Sequence, residues 1–324
     1  MPNSVGNSEI LAIRGLKKYF HTRHGVVRAV DGVDLSLHEG ETLGLVGESG
    51  SGKSTVAYNV IGMYRPTEGK LLYRGEELGA KGRARPLHQK GEIQIVFQDP
   101  GSSLNPRRTI GQSLELPLRL HARLSGPRIG ERAAELLDMV GLPAEYRFKY
   151  PRSIGGGERQ LAAVARALAC NPRIVVLDEP TSALDVSIQA KVIRRLMELQ
   201  ERLRLSYLFI THDLSLMRNV ATKVAIMYLG KVCESAPIAE FFRHPLHPYT
   251  RMLLSSIPVI SEAEKALKPQ KVETRGEIPS PVNVPPGCSF NPRCQECMDI
   301  CLVDDPAMRE ITEGHWVRCH AVKA

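Results

Sequence analysis

Aromatic residues make up only 5% of the 324 positions. No basic run carries aromatics interleaved with it, so no nucleic-acid partner is expected. Long hydrophobic runs are also missing. The most apolar stretches, Leu161–Cys170 and Met252–Ile260, fall short of the ~18–20 residues that cross a bilayer, and the first is interrupted by Arg166. Residues 1–10 lack the order of basic then apolar segments that marks a secretory signal, which points to a cytoplasmic protein. Repeats and low-complexity tracts are absent. With 43% hydrophobic and 24% charged residues the chain is ordinary for a globular enzyme, which excludes a disordered or fibrous class. Its length suits two domains, or one large domain with an appendage. The net charge of +8 reads as scattered solubilising Lys and Arg, with a polyanionic ligand as the one specific use.

Ile10–Gly15 and Val27–Leu37 alternate apolar and polar residues as half-buried strands do. Glu41–Val46 is a buried strand, followed by a glycine-rich loop and a helix through Met63; Ile93–Phe97 is another strand. From Asn105 the character changes. Ile110–His121 and Ile129–Val140 carry apolar residues at helical spacing, so a mostly helical insertion is expected over about 105–165. A helix at Glu158–Cys170 then leads to the strand Ile174–Leu177, a helix Ile188–Arg204, and strands at Tyr207–Ile210 and Val224–Tyr228. Strands alternating with helices imply an α/β fold with a mostly parallel sheet. After residue 255 prolines punctuate a segment without apolar periodicity. The expected organisation is a domain over 1–255 and an extension over 256–324.

Gly47-Glu48-Ser49-Gly50-Ser51-Gly52-Lys53-Ser54 fits G-x-x-x-x-G-K-[ST] between a strand and a helix. Such a loop turns successive backbone amides around phosphate oxygens, its lysine reaches the β- and γ-phosphates, and its hydroxyl ligates Mg²⁺. The helix dipole that follows, starting near Thr55, adds positive potential. Downstream, the strand Ile174–Leu177 runs into Asp178-Glu179. Adjacent carboxylates at the end of an apolar strand are costly unless a cation or a reaction uses them. Asp178 is expected to hold Mg²⁺ and Glu179 to act as general base on the attacking water. His212, after the strand Tyr207–Thr211, is expected to sense the γ-phosphate.

This series resembles the ATP-binding subunits of ABC transporters. The Walker A motif matches Gly47–Ser54, the Q-loop glutamine Gln98, Walker B Ile174–Glu179, the D-loop Ser182-Ala183-Leu184-Asp185 and the switch histidine His212. By position, Phe20 looks like the aromatic that stacks on adenine. The resemblance implies a P-loop ATPase with an antiparallel β subdomain, using ATP and Mg²⁺, with Gln98 also touching the metal. The family signature Leu-Ser-Gly-Gly-Gln is replaced by Ile154-Gly155-Gly156-Gly157-Glu158. In the family this stretch, with the D-loop, faces the nucleotide held by the other subunit. Loss of the serine hydroxyl removes a hydrogen bond worth ~1.5–3 kcal/mol, about ten- to a hundredfold in rate. Either the partner's site is weakened and the partner is a paralogue, or the amides suffice and both sites work.

The seven cysteines are uneven: Cys170 and Cys233 stand alone and read as core, and the others crowd the tail. Cys288, Cys294, Cys301 and Cys319 match the C-terminal extension of the oligopeptide/dipeptide import branch, as do Gly276–Pro281 and Phe241–Thr250; Cys297 is extra. The resemblance implies a [4Fe–4S] cluster on those four thiols. Four thiolates suit zinc as well, and spacing does not decide between them. The implied function is the ATPase of a bacterial peptide importer. Its implied partners are a paralogous ATP-binding subunit, two transmembrane permease subunits and, indirectly, an extracytoplasmic substrate-binding protein, with this chain peripheral on the cytoplasmic face of the inner membrane. The alternatives are import of nickel or another small solute, and a soluble redox-sensing ABC ATPase.

Overall fold

The structure is a computed structural model that describes residues 8–79, 84–99, 103–257 and 276–323. Residues 100–102 and all of 258–275, which hold part of the apolar stretch Met252–Ile260, lie outside the described residues.

Two long strands open the chain, β1 (Glu9–Thr22) and β2 (Gly25–His38), paired antiparallel. β4 (Glu68–Tyr73) pairs with β1, and the short β5 (Glu76–Glu77) with β4, giving an antiparallel sheet of order β2-β1-β4-β5. The second sheet runs in the order 309–312, 315–317, 231–237, 223–228, 42–46, 206–211, 174–178 and 93–96. Its centre is parallel: β3 (Thr42–Val46), β6 (Ile93–Val96), β7 (Ile174–Asp178), β8 (Ser206–Thr211) and β9 (Lys223–Tyr228). β10 (Lys231–Pro237) adds antiparallel to β9.

β3, β7 and β8 are buried at every position, the mark of a sheet covered on both faces. Their side chains alternate between two cores. Ile174, Val176, Leu208 and Ile210 join the antiparallel sheet and the helix α1 (Lys53–Val60). Val175, Leu177, Tyr207 and Phe209 join the helices on the other face. After α2 (Leu87–Glu92) those helices begin with α3 (Ile110–Leu120), started by a capping box between Thr109 and Gln112 and burying Ile110, Leu114 and Leu118. α4 (Pro127–Met139) buries Ile129, Ala133, Leu136 and Leu137. α5 (Gly156–Leu168) and α6 (Val186–Leu203) complete the layer. The helical character expected from residue 105 onward is therefore present. The shorter α7 (Leu214–Val220), α8 (Ile238–Arg243) and α9 (Pro248–Ser255) follow.

The tail holds more regular structure than its prolines imply. β11 (Arg309–Thr312) and β12 (His315–Val317) form a hairpin that continues the main sheet through β10. Phe290, from the cysteine-rich segment, is buried in the main core. The sequence reading assigned neither feature, because both depend on distant residues rather than on local periodicity.

Candidate active site at the sheet's carboxyl edge

β3, β7, β8 and β6 all deliver their carboxyl ends to one edge; Gly47, Glu179 and His212 follow the first three at once, and Gln98 lies two positions after β6. The loop after β3 runs from Gly47 to Gly52, which starts α1 in a left-handed conformation (φ 106°). A Cβ at Gly52 would stand 2.1 Å from the Ala29 carbonyl, so only glycine lets the loop close against β2. Lys53 is buried, and its ammonium donates to the carbonyls of Gly47 (2.7 Å) and Glu48 (2.8 Å). Burial lowers its pKa, opposed by Glu179, Asp178 and Glu48.

The Ser54 hydroxyl donates to Asp178 Oδ1 at 3.0 Å. Burial raises the Asp178 pKa, while hydrogen bonds from Ser54 and Tyr58 oppose the rise. A carboxylate and a hydroxyl in contact beside a buried ammonium form a donor set that can take Mg²⁺. Next to it, Glu179 Oε2 accepts from Gln98 Nε2 at 3.0 Å and lies 3.4 Å from His212 Nδ1. Glu179 has φ +46°, a region L-residues rarely occupy. The strain holds its carboxylate at the strand's end, where its amide donates to the Ile210 carbonyl.

A cavity of about 580 Å³ joins these groups. Ser49, Gly50, Gly52, Lys53, Ser54, Thr55, Gln98, Glu179 and His212 line it, together with Val27, Ala29 and Pro281. Those last three escaped the sequence reading. The only local signal is their place in β2 and in the Gly276–Pro281 segment, whose Pro281 carbonyl accepts the Arg28 amide. Phe20 does not line the cavity. It packs edge-on against Tyr64 at 5.2 Å, with the Lys18 ammonium 5.0 Å from its ring centre.

Gly155, Gly156, Gly157 and Asp185 are also absent from the lining. They cluster at the amino ends of α5 and α6, where a Cβ at Gly156 would stand 3.2 Å from Leu184. The Asp185 carboxylate caps α6, accepting from the Ile188 amide (3.0 Å) and the Ser187 hydroxyl (2.8 Å). Glu158 Oε2 accepts the Gly155 amide at 2.7 Å, and Oε1 accepts from Tyr146 at 2.8 Å. These bonds lower the Glu158 pKa, the Gly155 amide first. The replacement at the signature's end therefore occupies an amide that the sequence reading left free for phosphate.

In the tail, Cys301 and Cys319 are buried, Cys288 and Cys294 half-buried and Cys297 exposed. Burial pushes Cys288 up to about 11, with Cys301 and Cys319 adding to the rise. Burial likewise pushes Cys294 up to about 12, with Cys319 and Cys288 adding. The thiols thus lie within electrostatic reach of one another, and the Cys288 amide donates to the Cys301 carbonyl at 2.9 Å. Among the described residues, no three His, Cys, Asp or Glu side chains close on a single ion.

A phosphate loop, a carboxylate pair and a polar cluster at the carboxyl edge of a parallel sheet define a P-loop ATPase of the ATP-binding-cassette class. Comparison with known proteins agrees. A family described as "ABC transporter" matches residues 30–182, and one described as "Oligopeptide/dipeptide transporter, C-terminal region" matches 233–301. The chain is 45% identical to the oligopeptide transport ATP-binding protein AppF of Bacillus subtilis, covering 98% of this chain and 99% of that one. It is 42% identical to the dipeptide transport ATP-binding protein DppF of Haemophilus influenzae, again over 98% and 99%. The dimeric, ADP- and Pi-bound cassette MJ0796 superposes with a TM-score of 0.63 at 29% identity, over 70% of this chain and 98% of that one. The chain belongs to the ABC transporter ATP-binding family, in its oligopeptide/dipeptide branch. No helix among the described residues is long and apolar enough to cross a membrane.

Proposed function

We propose that this chain hydrolyses ATP to power an importer of dipeptides or oligopeptides, docked on the cytoplasmic face of the membrane against two permease subunits fed by an extracytoplasmic binding protein. Ser54, Gln98, Glu179 and His212 line one cavity, with the buried Asp178 bonded to Ser54 behind it, and this arrangement carries the reading. The names of the relatives supply the substrate class. Residues 1–255 form the ATP-binding unit, with the helices of 105–165 passing its motion to the permeases, and residues 256–324 are an extension of it.

The amides of 49–55 and the Lys53 ammonium bind the phosphates. Lys53 exchanges its loop carbonyls for phosphate oxygens. Mg²⁺, held by Ser54, Asp178 and Gln98, would neutralise phosphate charge. Glu179 takes the proton of the attacking water, oriented by the Gln98 amide, while His212 stands ready toward the γ-phosphate. Glu179→Gln, assayed in vesicles with the permeases and a dipeptide, should cut hydrolysis by about two orders of magnitude or more and stop uptake while Mg-ATP still binds. Wild-type turnover in that variant refutes the assignment. Nickel uptake without peptide uptake refutes the substrate class.

The second chain across the signature is a paralogue. Glu158 places a carboxylate and a spent amide where a phosphate would be read, so the partner's nucleotide is the poorly hydrolysed one. Gly155→Ser should raise turnover at the partner's site about tenfold, and site-resolved hydrolysis that does not change counts against the asymmetry.

Cys288, Cys294, Cys301 and Cys319 are the ligands of a [4Fe–4S] cluster. The reading rests on the resemblance of this segment to the branch's extension; four thiolates suit zinc as well, and spacing does not decide between them. A bound cluster would supply a covalent staple to a segment with little core of its own. Four irons and four sulfides per chain after anaerobic purification would fit this reading; stoichiometric zinc would not.

A further inference from the structure

Glu48, in the phosphate loop, does not line the cavity, and each of its three polar groups is engaged. Its carbonyl accepts from Lys53 Nζ at 2.8 Å. Its amide donates to the Tyr249 hydroxyl at 3.1 Å. Its carboxylate meets Arg293 in a two-pronged pair, Nη1 to Oε2 at 2.7 Å and Nη2 to Oε1 at 3.1 Å. Arg293 lies 245 positions away in sequence, in the tail beside Cys294, and its side chain is only 6% exposed. It sits against the rings of Tyr228 and Phe290 at 5.7 and 5.9 Å. Tyr249 and Phe290 pack on each other at 5.3 Å, and both pack on Tyr228. A planar guanidinium paired twice with a carboxylate and shielded from water fixes orientation as well as distance.

We propose that Arg293, aided by Tyr249, is a positioning residue for the phosphate loop: the cysteine-rich extension reaches back and holds Glu48, and with it the backbone of the loop, in the register that receives a triphosphate. The assignment rests on residues 47–54 being the nucleotide site. A surface ion pair contributes little, but here the guanidinium is buried and the carboxylate only a quarter exposed, and the group it holds is covalently part of the loop. The extension therefore sets nucleotide affinity without touching nucleotide through Arg293.

The test is titration of the full chain with a fluorescent ATP analogue and Mg²⁺, paired with thermal unfolding and with ATPase kinetics in the assembled transporter. Arg293→Met should weaken binding about tenfold, the loss of one charge-assisted pair, and raise KM with kcat kept. Arg293→Lys should recover part of the loss, and Tyr249→Phe, which removes only a hydroxyl, should show a smaller loss. In a Glu48→Gln background, Arg293→Met should add nothing further, because the two act through one contact. Affinity within about twofold of wild type in a folded Arg293→Met chain, or full additivity with Glu48→Gln, overturns the proposal. If Arg293→Met does not fold, unchanged affinity in Tyr249→Phe overturns it. Failure of the unaltered chain to bind the analogue would instead refute the nucleotide site itself.

Discussion

His247 shows how one side chain makes stability depend on pH. It is wholly enclosed, its Nδ1 accepts the Tyr249 amide at 3.0 Å and its own amide donates to Glu234 at 2.8 Å. Burial pushes its pKa down from 6.5 to about 4, with Glu234 opposing. Protonation would turn the accepting nitrogen into a donor facing a donor. The neutral ring thus contributes stability that is complete above pH 6.5 and fades as pH falls toward 4, by up to about 3 kcal/mol. Unfolding midpoints measured across that interval should fall for wild type. His247→Asn keeps the helix cap; it should be less stable at neutral pH yet show a flatter profile. An equal slope would remove His247 as the cause. His247 lies in the Phe241–Thr250 stretch that the sequence marked only by resemblance, since a lone histidine carries no local sign of its burial.

At the scale of elements, local pattern predicts well where helices and strands meet the core along one face. The strands at 42–46, 93–96 and 174–178 were legible as short apolar runs between turn residues. The site followed, because the motif residues sit where those strands end. β10, β11 and β12 were not legible, since pairing with distant strands rather than apolar periodicity sets them. Phe20, expected by position to stack on adenine, packs edge-on against Tyr64. The contact between α5 and α6 could not be read from the signature either. A Cβ at Gly157 would stand 2.3 Å from Ile188 Cγ2, so this glycine is a packing residue as well as a signature residue. Gly157→Ala should force α5 from α6 and cost ~1–3 kcal/mol, read as a lower unfolding midpoint. A midpoint at or above the wild-type value would show that Ile188 simply yields.

Across the whole molecule, the tail is joined to the ATPase core by buried polar contacts as well as apolar ones. Glu234, on β10, is fully buried and accepts from the amides of Leu246 and His247 and from His315 Nε2 on β12, all within 2.9 Å. Removing such a carboxylate strands three donors at once. Glu234→Ala should cost ~3–5 kcal/mol, lowering the midpoint by roughly 10 °C. Calorimetry would check it, and a shift of a degree or two would mean that water satisfies those donors.

The hairpin of β11 and β12 lies along β10, whose backbone would otherwise face solvent on that side. A polypeptide released before residue 309, by premature termination or a protease nick, would carry a bare strand border on an otherwise finished cassette. Such fragments would tend to zip onto each other or onto nascent copies. The hairpin thus doubles as a guard against self-association, which makes an intact 309–317 segment a condition for solubility.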